Sequence, residues 1–386
     1  MIVAITGSVG KTSTKEAIFS ILRSRFFVRR NEKNYNTEIG VPLTILGLET
    51  AGKNVFLWFW YFFRVFGMLL LKVSYPKILV LEMGVDKPGD MSWMTSWITP
   101  NVAVVTAIGD IPVHVEFFTG PEELAAEKAT LVKALPPTGW AVLNNDDLVV
   151  LDMKELTDAK VKTYGIGEES DVEIRDLRLI SPFQREAGTE FSLKVNGETE
   201  SVRLSLVYGK QQAYAAAAAA AVGTIFGIRL PEIAVALREY TPEPGRMRLR
   251  KGRNGSWIID DTYNASPIAM RAALEVLHDL EAARKIAVLG DMLEIGKYTI
   301  EAHEAMGELV AKYGINYLFA VGARAKFIGE FAKSKGMPRE RVFFFDTAKE
   351  VGEKLEEFLE EGTIVLIKGS RAMRMERVID KVVKKV

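Results

Sequence analysis

A strand, a tight turn and a helix are written into the opening stretch Met1-Ile-Val-Ala-Ile-Thr-Gly-Ser-Val-Gly-Lys-Thr-Ser-Thr-Lys-Glu16, and no other stretch so narrows what the chain can fold into. Ile2 to Ile5 is a short apolar run suited to a buried parallel strand. Thr6 to Gly10 supplies small residues for a turn, and Lys11 onward reads as a helix. Inward-facing N–H groups of Gly7, Ser8, Val9 and Gly10, at the positive end of a helix, make a seat for a phosphate chain. Lys11 can reach the terminal phosphates of a nucleotide, and the hydroxyl of Thr12, with Ser13 beside it, can hold Mg²⁺. The spacing is G-x-x-G-K-T, with Ile5 where the full Walker pattern has its first glycine. The plain alternative is a strand–turn–helix without a ligand.

At 386 residues the chain has room for two or three domains. Lys plus Arg equals Asp plus Glu, 50 against 50, so no net charge draws it to nucleic acid or to an acidic membrane. There is no cysteine, which excludes disulfides and thiolate chemistry. No leader is expected ahead of the first strand, and use of ATP with Mg²⁺ points to the cytoplasm.

Further strands are expected at Lys77–Glu82, Asn101–Thr106 and Trp140–Asp147, with helices at about Lys15–Phe26 and Glu122–Leu135. The Asn-rich stretch Asn31 to Pro42 reads as a loop feeding a helix capped by Thr37. Val161 to Val207 alternates apolar and polar residues, with Asn196-Gly197 as a hairpin turn, and reads as a small antiparallel insert. Gln212 to Phe226 is an alanine-rich helix. Pro242 to Arg246 is a linker, after which strands at 257–260, 286–289, 317–321, 341–345 and 363–367 alternate with helices. The expected class is α/β: a P-loop domain over 1–241 with a β insert at about 161–207, then a Rossmann-like C-terminal domain over 242–386.

Val55 to Leu71, VFLWFWYFFRVFGMLLL, carries one charge, Arg64. Three readings stay open: a helix buried in the core or on a partner subunit, a helix in a membrane interface, and a true span.

Carboxyl ends of parallel strands are where ligands gather, so Glu82 and His114 should converge on the P-loop. Glu82 is placed to hold Mg²⁺; its alternative is a strand-end cap. His114 is one of 3 histidines, and a lone histidine is commonly structural. Lys128 alone reads as a solvated helix lysine. In Asp260-Asp261-Thr-Tyr-Asn264 an acid suits ribose hydroxyls, Tyr263 a stacked base and Asn264 a base edge. Lys368-Gly-Ser-Arg371 and Arg374 can clamp a substrate carboxylate.

Together with Asn36-Thr-Glu-Ile-Gly-Val-Pro-Leu-Thr44, Leu81-Glu-Met-Gly84, Leu143-Asn-Asn-Asp-Asp147, Pro244-Gly-Arg246, Met270-Arg-Ala-Ala-Leu274 and Gly290-Asp-Met-Leu-Glu-Ile-Gly296, these motifs resemble the Mur ligase family in order and over nearly the whole chain. The likeness is greatest to its members that add D-alanyl-D-alanine. The resemblance implies an ATP-dependent amide ligase. A carboxylate is phosphorylated to an acyl phosphate, and an amine then displaces phosphate, leaving ADP. It implies Lys11 and Thr12 on phosphates and Mg²⁺, Glu82 and His114 on metal, and Lys128 as a carbamylated metal ligand. It further implies Arg246 toward the γ-phosphate and Asp261, Tyr263 and Asn264 on the nucleoside. Asn36 and Thr37 would face substrate, and Lys368, Ser370 and Arg371 the amine component.

Three departures stand out. The uridine-gripping N-terminal domain of the relatives is expected to be missing, Gln211, Gln212 and Ala215 replace an adenine-side His-Asn pair and second Asn (Gln212 being kept as a nucleotide contact), and 55–71 looks inserted. The expected function is addition of D-Ala-D-Ala or a similar amine to a muramyl-peptide carboxylate in cell-wall synthesis. The alternatives are a ligase for a different, membrane-presented carboxylate and a nucleotide-binding scaffold. Small-molecule carboxylate and amine partners are expected, with the chain a monomer or homodimer in the cytoplasm, able to lie at the inner membrane face.

Overall fold

In the computed structural model, residues 1–32, 35–71 and 73–384 are described. Lys33 and Asn34 of the Asn-rich stretch therefore lie outside the described residues. Among the rest, strands form two sheets. The first holds β1 (Ile2–Thr6), β2 (Val28–Arg30), β3 (Ile78–Glu82), β4 (Val102–Val105), β5 (Trp140–Asn144), β6 (Lys160–Gly165), β7 (Val172–Ile180), β8 (Gly188–Val195) and β9 (Glu198–Ser205). Their order is β2-β3-β1-β4-β5-β6-β7-β8-β9. Pairing is parallel from β2 through β7 and antiparallel among β7, β8 and β9.

β1 lies in the middle because its run is apolar on both faces. Ile5 pairs with Glu82 on one side and Val104 on the other, which brings the ends of β1, β3 and β4 level. The helix Lys11–Leu22 follows directly, so it begins earlier and ends earlier than the expected Lys15–Phe26. It packs against the helix Lys210–Ile225, whose fully buried alanines let two backbones approach over the sheet.

The antiparallel portion expected over 161–207 is present as β7 to β9. β6 continues the parallel sheet, and β7 to β9 extend the same sheet beyond it. Asn196 and Gly197 do form the β8–β9 turn, both with positive φ, as the hairpin requires. Asp147 is past its strand: its side chain accepts from Val150 N–H and caps a short helix. Thr37 is not a cap. The helix Gly40–Leu46 starts at Ile39 without a side-chain cap, and Thr37 only accepts from Val41 through its backbone.

The second sheet contains β10 (Arg248–Lys251), β11 (Trp257–Asp261), β12 (Arg284–Gly290), β13 (Tyr317–Val321), β14 (Val342–Phe345) and β15 (Thr363–Lys368). The order is β10-β11-β15-β12-β13-β14, parallel except for β10. β10 was not legible beforehand, since Arg-Leu-Arg-Lys offers one apolar residue. β15 sits between β11 and β12, and Lys368 pairs with both Asp261 and Leu289. The carboxyl ends of these strands face those of the first sheet.

The segment Val55–Leu70 is a helix opened by Asn54, whose side chain accepts from Leu57 N–H. It is not buried, which corrects the core reading: Phe56 is 89% and Phe62 70% exposed. Among the described residues no helix is long and apolar enough to cross a membrane.

Candidate active site

Between the two sets of strand ends lies a cavity of about 350 Å³. It is lined by the P-loop, Asn36, Thr37, Glu82, Asp86, His114, Lys128, Gln212, Arg246, Asp261, Tyr263, Asn264, Glu294, Lys368, Ser370 and Arg371. All the sequence-predicted site residues except Thr12 and Arg374 thus line one space, and Thr12 touches it through Arg246, whereas Arg374 stands outside the lining.

The P-loop is shaped by two glycines with positive φ, Gly7 at 137° and Gly10 at 89°. A Cβ on Gly7 would lie 2.0 Å from Thr106 Oγ1, so the loop can press against β4 only without a side chain there. The loop's N–H groups do not all face inward as expected. Ser8 and Val9 both donate to the Ala107 carbonyl, at 2.7 and 3.1 Å. The open donors are those of the helix start, where Gly10 gives no side-chain cap. Lys11 Nζ folds back to the carbonyls of Gly7 (2.8 Å) and Ser8 (3.5 Å). Burial lowers the pKa of Lys11, and Glu82 opposes that shift.

Glu82 projects from the end of β3. Asn31 ties its backbone at both N–H and C=O, 2.8 Å each, and Asn36 donates to its Oε1 at 3.1 Å. His114, held at φ 72°, reaches Asp86 through Nε2 (3.5 Å) and Glu294 through Nδ1 (2.9 Å). That hydrogen bond holds Glu294 below the usual carboxylate range. His114 is therefore engaged by two acids, one from each half of the molecule. Among the described residues no three His, Asp or Glu side chains form a metal cage, so Glu82 and His114 do not meet as a preformed metal site. Lys128 is not a solvated lysine: it is 1% exposed, and burial, reinforced by the charge of Lys11, pulls its pKa well down.

Arg246 joins the halves. Its guanidinium donates to Thr12 Oγ1 at 3.1 Å and lies 3.8 Å above the Tyr263 ring. Its Nε is buried without a hydrogen-bond partner, as is Ser8 Oγ. Arg371 lies 5.7 Å over the same ring. With two cations on it, Tyr263 does not present the clear face expected for a stacked base. Asp261 accepts from Met247 N–H (3.1 Å) and pairs with Lys368 (2.5 Å), which also donates to Asn264 O (2.9 Å). Asn264 Oδ1 takes N–H groups of Ala265 and Arg371, at 2.9 and 3.3 Å. Ser370 Oγ accepts from Leu293 N–H at 2.8 Å. The acid and amide expected to meet a nucleoside are here engaged in holding the basic cluster.

Gln212 is likewise turned inward, toward Ser13, the Arg246 carbonyl and Tyr240. A second hollow of about 690 Å³ opens on the other side of the P-loop, sharing Val9, Gly10 and Gln211 with the first. Ala215, Asn144, Asp146, Tyr214 and Arg271 line it. Asp146 accepts from Tyr214 O–H (2.7 Å) and Ile166 N–H (2.6 Å).

Sequence reasoning passed over Asp86, Glu294 and the clasp of Lys15 with Glu243 (3.0 Å), which fastens the P-loop helix to the linker. Asp86 offered one signal, an acid in the loop four residues past the strand-end Glu82. Glu294 sat inside the quoted motif Gly290 to Gly296 without a role. Lys15–Glu243 had none, because the pair spans most of the chain.

The two buried orphan groups and the basic side chains Lys11, Arg246 and Lys368 around one cavity fit a polyanionic ligand such as a nucleotide triphosphate. Comparison with known proteins agrees with that chemistry. The Mur ligase middle domain matches residues 5–58 and 67–223, with a break inside the aromatic helix, and the Mur ligase glutamate ligase domain matches 245–371. The UDP-N-acetylmuramoyl-tripeptide–D-alanyl-D-alanine ligase of Bacillus subtilis (strain 168) is 30% identical over 379 residues, covering 98% of this chain and 75% of its own. The corresponding ligase of Escherichia coli (strain K12) is 28% identical over 381 residues, 98% and 76% of the two chains. Among solved structures, MurF ligase from Thermotoga maritima in complex with ADP superposes with a TM-score of 0.80 at 27% identity, covering 99% of this chain and 79% of that one.

Proposed function

The chain belongs to the Mur ligase family, and from that premise we propose that it couples D-alanyl-D-alanine to the terminal carboxyl of a UDP-muramyl-tripeptide in peptidoglycan precursor synthesis. It is an ATP-dependent, ADP-forming ligase. The observation that carries the reading is the single cavity in which the P-loop, with unpartnered Ser8 Oγ and Arg246 Nε, faces the basic cluster of the second sheet.

In this reading the triphosphate lies along the P-loop helix start, and Lys11 leaves the Gly7 carbonyl to follow its terminal phosphate. The second hollow, with Gln211, Ala215 and Tyr214, takes the base. A substrate carboxylate oxygen attacks the γ-phosphorus, the bond to the bridging oxygen breaks, and ADP departs. Arg246 spreads the charge that develops there. The neutral amine of the dipeptide then attacks the acyl carbon, and inorganic phosphate leaves from the tetrahedral intermediate. Lys368 and Arg371 hold the dipeptide carboxylate so that its amine meets the acyl phosphate, a gain of proximity.

Mg²⁺ would supply charge neutralisation for the phosphoryl transfer. Thr12 and Glu82 are suited to hold it, with His114 freed from Asp86. Burial pulls the pKa of Lys128 well down and so favours the uncharged amine that adds carbon dioxide, and its carbamate would give this side of the cavity an anionic oxygen donor.

The test is ADP release with Mg-ATP, across a panel of carboxylates and amines. Turnover that needs both UDP-muramyl-tripeptide and D-alanyl-D-alanine is expected, with Lys11→Ala abolishing it. Turnover only with another pair would replace the substrate assignment. Silence with every pair, despite measured ATP binding, would sink the ligase reading for the isolated chain.

A further inference from the structure

We propose that the helix Val55–Leu70 docks this protein in the plane of a membrane whose surface is anionic. The helix has one sheltered stripe, Leu57, Tyr61, Val65 and Met68, half-buried at the spacing of helical turns. The rest of its circumference carries Phe56, Phe59, Trp60, Phe62, Phe63 and Phe66, all exposed, the least of them at 53%. At about 100° per residue Arg64 falls beside the sheltered stripe, away from the centre of the outward wall. Leu70 and Leu71 prolong that wall, at 71% and 68% exposure. A surface of this kind is apolar enough to demand a covering.

Charge selects the covering. From Thr50 to Leu81 the sequence has no Asp or Glu, while Lys53, Arg64, Lys72 and Lys77 bring cations. Two copies meeting on this face would oppose like charges with no acid in the segment to pair them. An anionic lipid surface supplies the missing countercharge and also accepts rings at headgroup depth. With 16 residues the helix is about 24 Å long, short for crossing the hydrocarbon but ample for lying along it. The break in the family match over 59–66 falls within this wall, so the feature is additional to the catalytic fold.

The helix is also held as a rigid mount. Trp58 Nε1 donates to the Gly52 carbonyl (3.1 Å), Tyr35 O–H accepts from Thr50 N–H (3.0 Å), and Tyr75 O–H donates to the Ile45 carbonyl (2.7 Å). The first bond braces the helix start on its own loop, the second ties the N-terminal side of the excursion to Tyr35, next to cavity-lining Asn36 and Thr37, and the third ties its C-terminal side to the helix Gly40–Leu46. Docking would thus fix the orientation of the cavity relative to the bilayer. The inference does not rest on the identity of the ligase substrates, because its readout is partition and not turnover.

The experiment is sedimentation of the full chain with vesicles of phosphatidylcholine alone and of phosphatidylcholine with phosphatidylglycerol. Binding to the anionic vesicles is expected, weakened by salt, with tryptophan emission quenched by bromine-labelled acyl chains. Phe59→Glu/Phe63→Glu should lower the partition coefficient at least about tenfold. The same variant should keep the wild-type circular dichroism and melting temperature, because both rings are exposed. Trp60→Phe should bind and lose part of the quenching. A wild-type chain that stays in the supernatant, or a Glu variant that binds equally well, overturns the proposal. So does a concentration-dependent dimer that the Glu variant abolishes, since the wall would then belong to a second copy.

Discussion

Arg246 shows how much one side chain can be asked to do. It donates to Thr12, covers Tyr263 and keeps a buried Nε with no partner. An unsatisfied buried donor costs on the order of 1–3 kcal/mol, which a bound phosphoryl group would recover. Arg246→Ala should therefore cut kcat/KM for ATP by roughly a hundredfold or more while leaving the melting temperature near wild type, as steady-state kinetics and calorimetry would show. Lys128 makes a different prediction. Because burial pulls its pKa well down and so favours the uncharged amine, ¹³C-bicarbonate should give a carbamate resonance that vanishes in Lys128→Ala. His303 is neither exposed nor in the cavity. Its Nε2 accepts from Met292 N–H (3.0 Å) and its Nδ1 faces the Thr299 carbonyl (2.6 Å), and burial lowers its pKa below 6.5. Below pH 6.5 the unfolded chain takes up a proton that the folded chain refuses. Stability should then fall with decreasing pH, by at most about 1.4 kcal/mol per unit, and level off under the folded pKa. His303→Gln, which can keep both hydrogen bonds, should lose that part of the slope in denaturant titrations from pH 7.5 to 5.

At the scale of elements, the P-loop turn is the most constrained piece. Gly7→Ala would drive a methyl group into Thr106 at a φ that L-residues rarely adopt. A fall in melting temperature of roughly 5–10 °C is expected, with nucleotide binding lost. An unchanged melting curve would show that the loop can move away from β4. This turn was also the most legible element, because the strand, the glycines and the Lys-Thr pair are all local. Strands of the second sheet could be placed for the same reason: each is an apolar run bounded by polar turns. What could not be read was whatever depends on contacts far along the chain. The alternation over 161–207 announced strands but not that β6 runs parallel to β5 while β7 to β9 continue the sheet. The roles of Asp261 and Asn264 were read from residue type alone. Their hydrogen bonds to Lys368 and Arg371, across more than a hundred residues, are set by the register of β11 against β15. For Val55–Leu70, apolar composition cannot tell a core helix from a surface one, and only the exposed rings decide.

In the whole molecule, polar groups meet across the cavity at Arg246 with Thr12, Lys15 with Glu243, and His114 between Asp86 and Glu294, while Tyr208, Leu206 and Lys210 tie the halves beside it to Met247, Leu249 and Glu275. Breakable polar contacts around a cavity, next to a firmer joint, suit hinge closure around ligands. Glu294→Gln weakens the His114 tie without touching the P-loop. It should enlarge the radius of gyration of the free chain in solution scattering, with a nucleotide analogue restoring much of the difference; identical profiles would dismiss the tie as a closure contact. The position of β1 carries a further consequence, in the order of synthesis. Its hydrogen-bonded neighbours, β3 and β4, are translated long after it, and Lys368 of the opposing cavity wall comes later still. A nascent chain thus carries Ile-Val-Ala-Ile unpaired until much of the first sheet has emerged, and it can close the nucleotide cavity only near the end of translation. Ribosome-bound intermediates of this protein should be clients for chaperones that recognise extended apolar segments, with the catalytic cavity among the last features to mature.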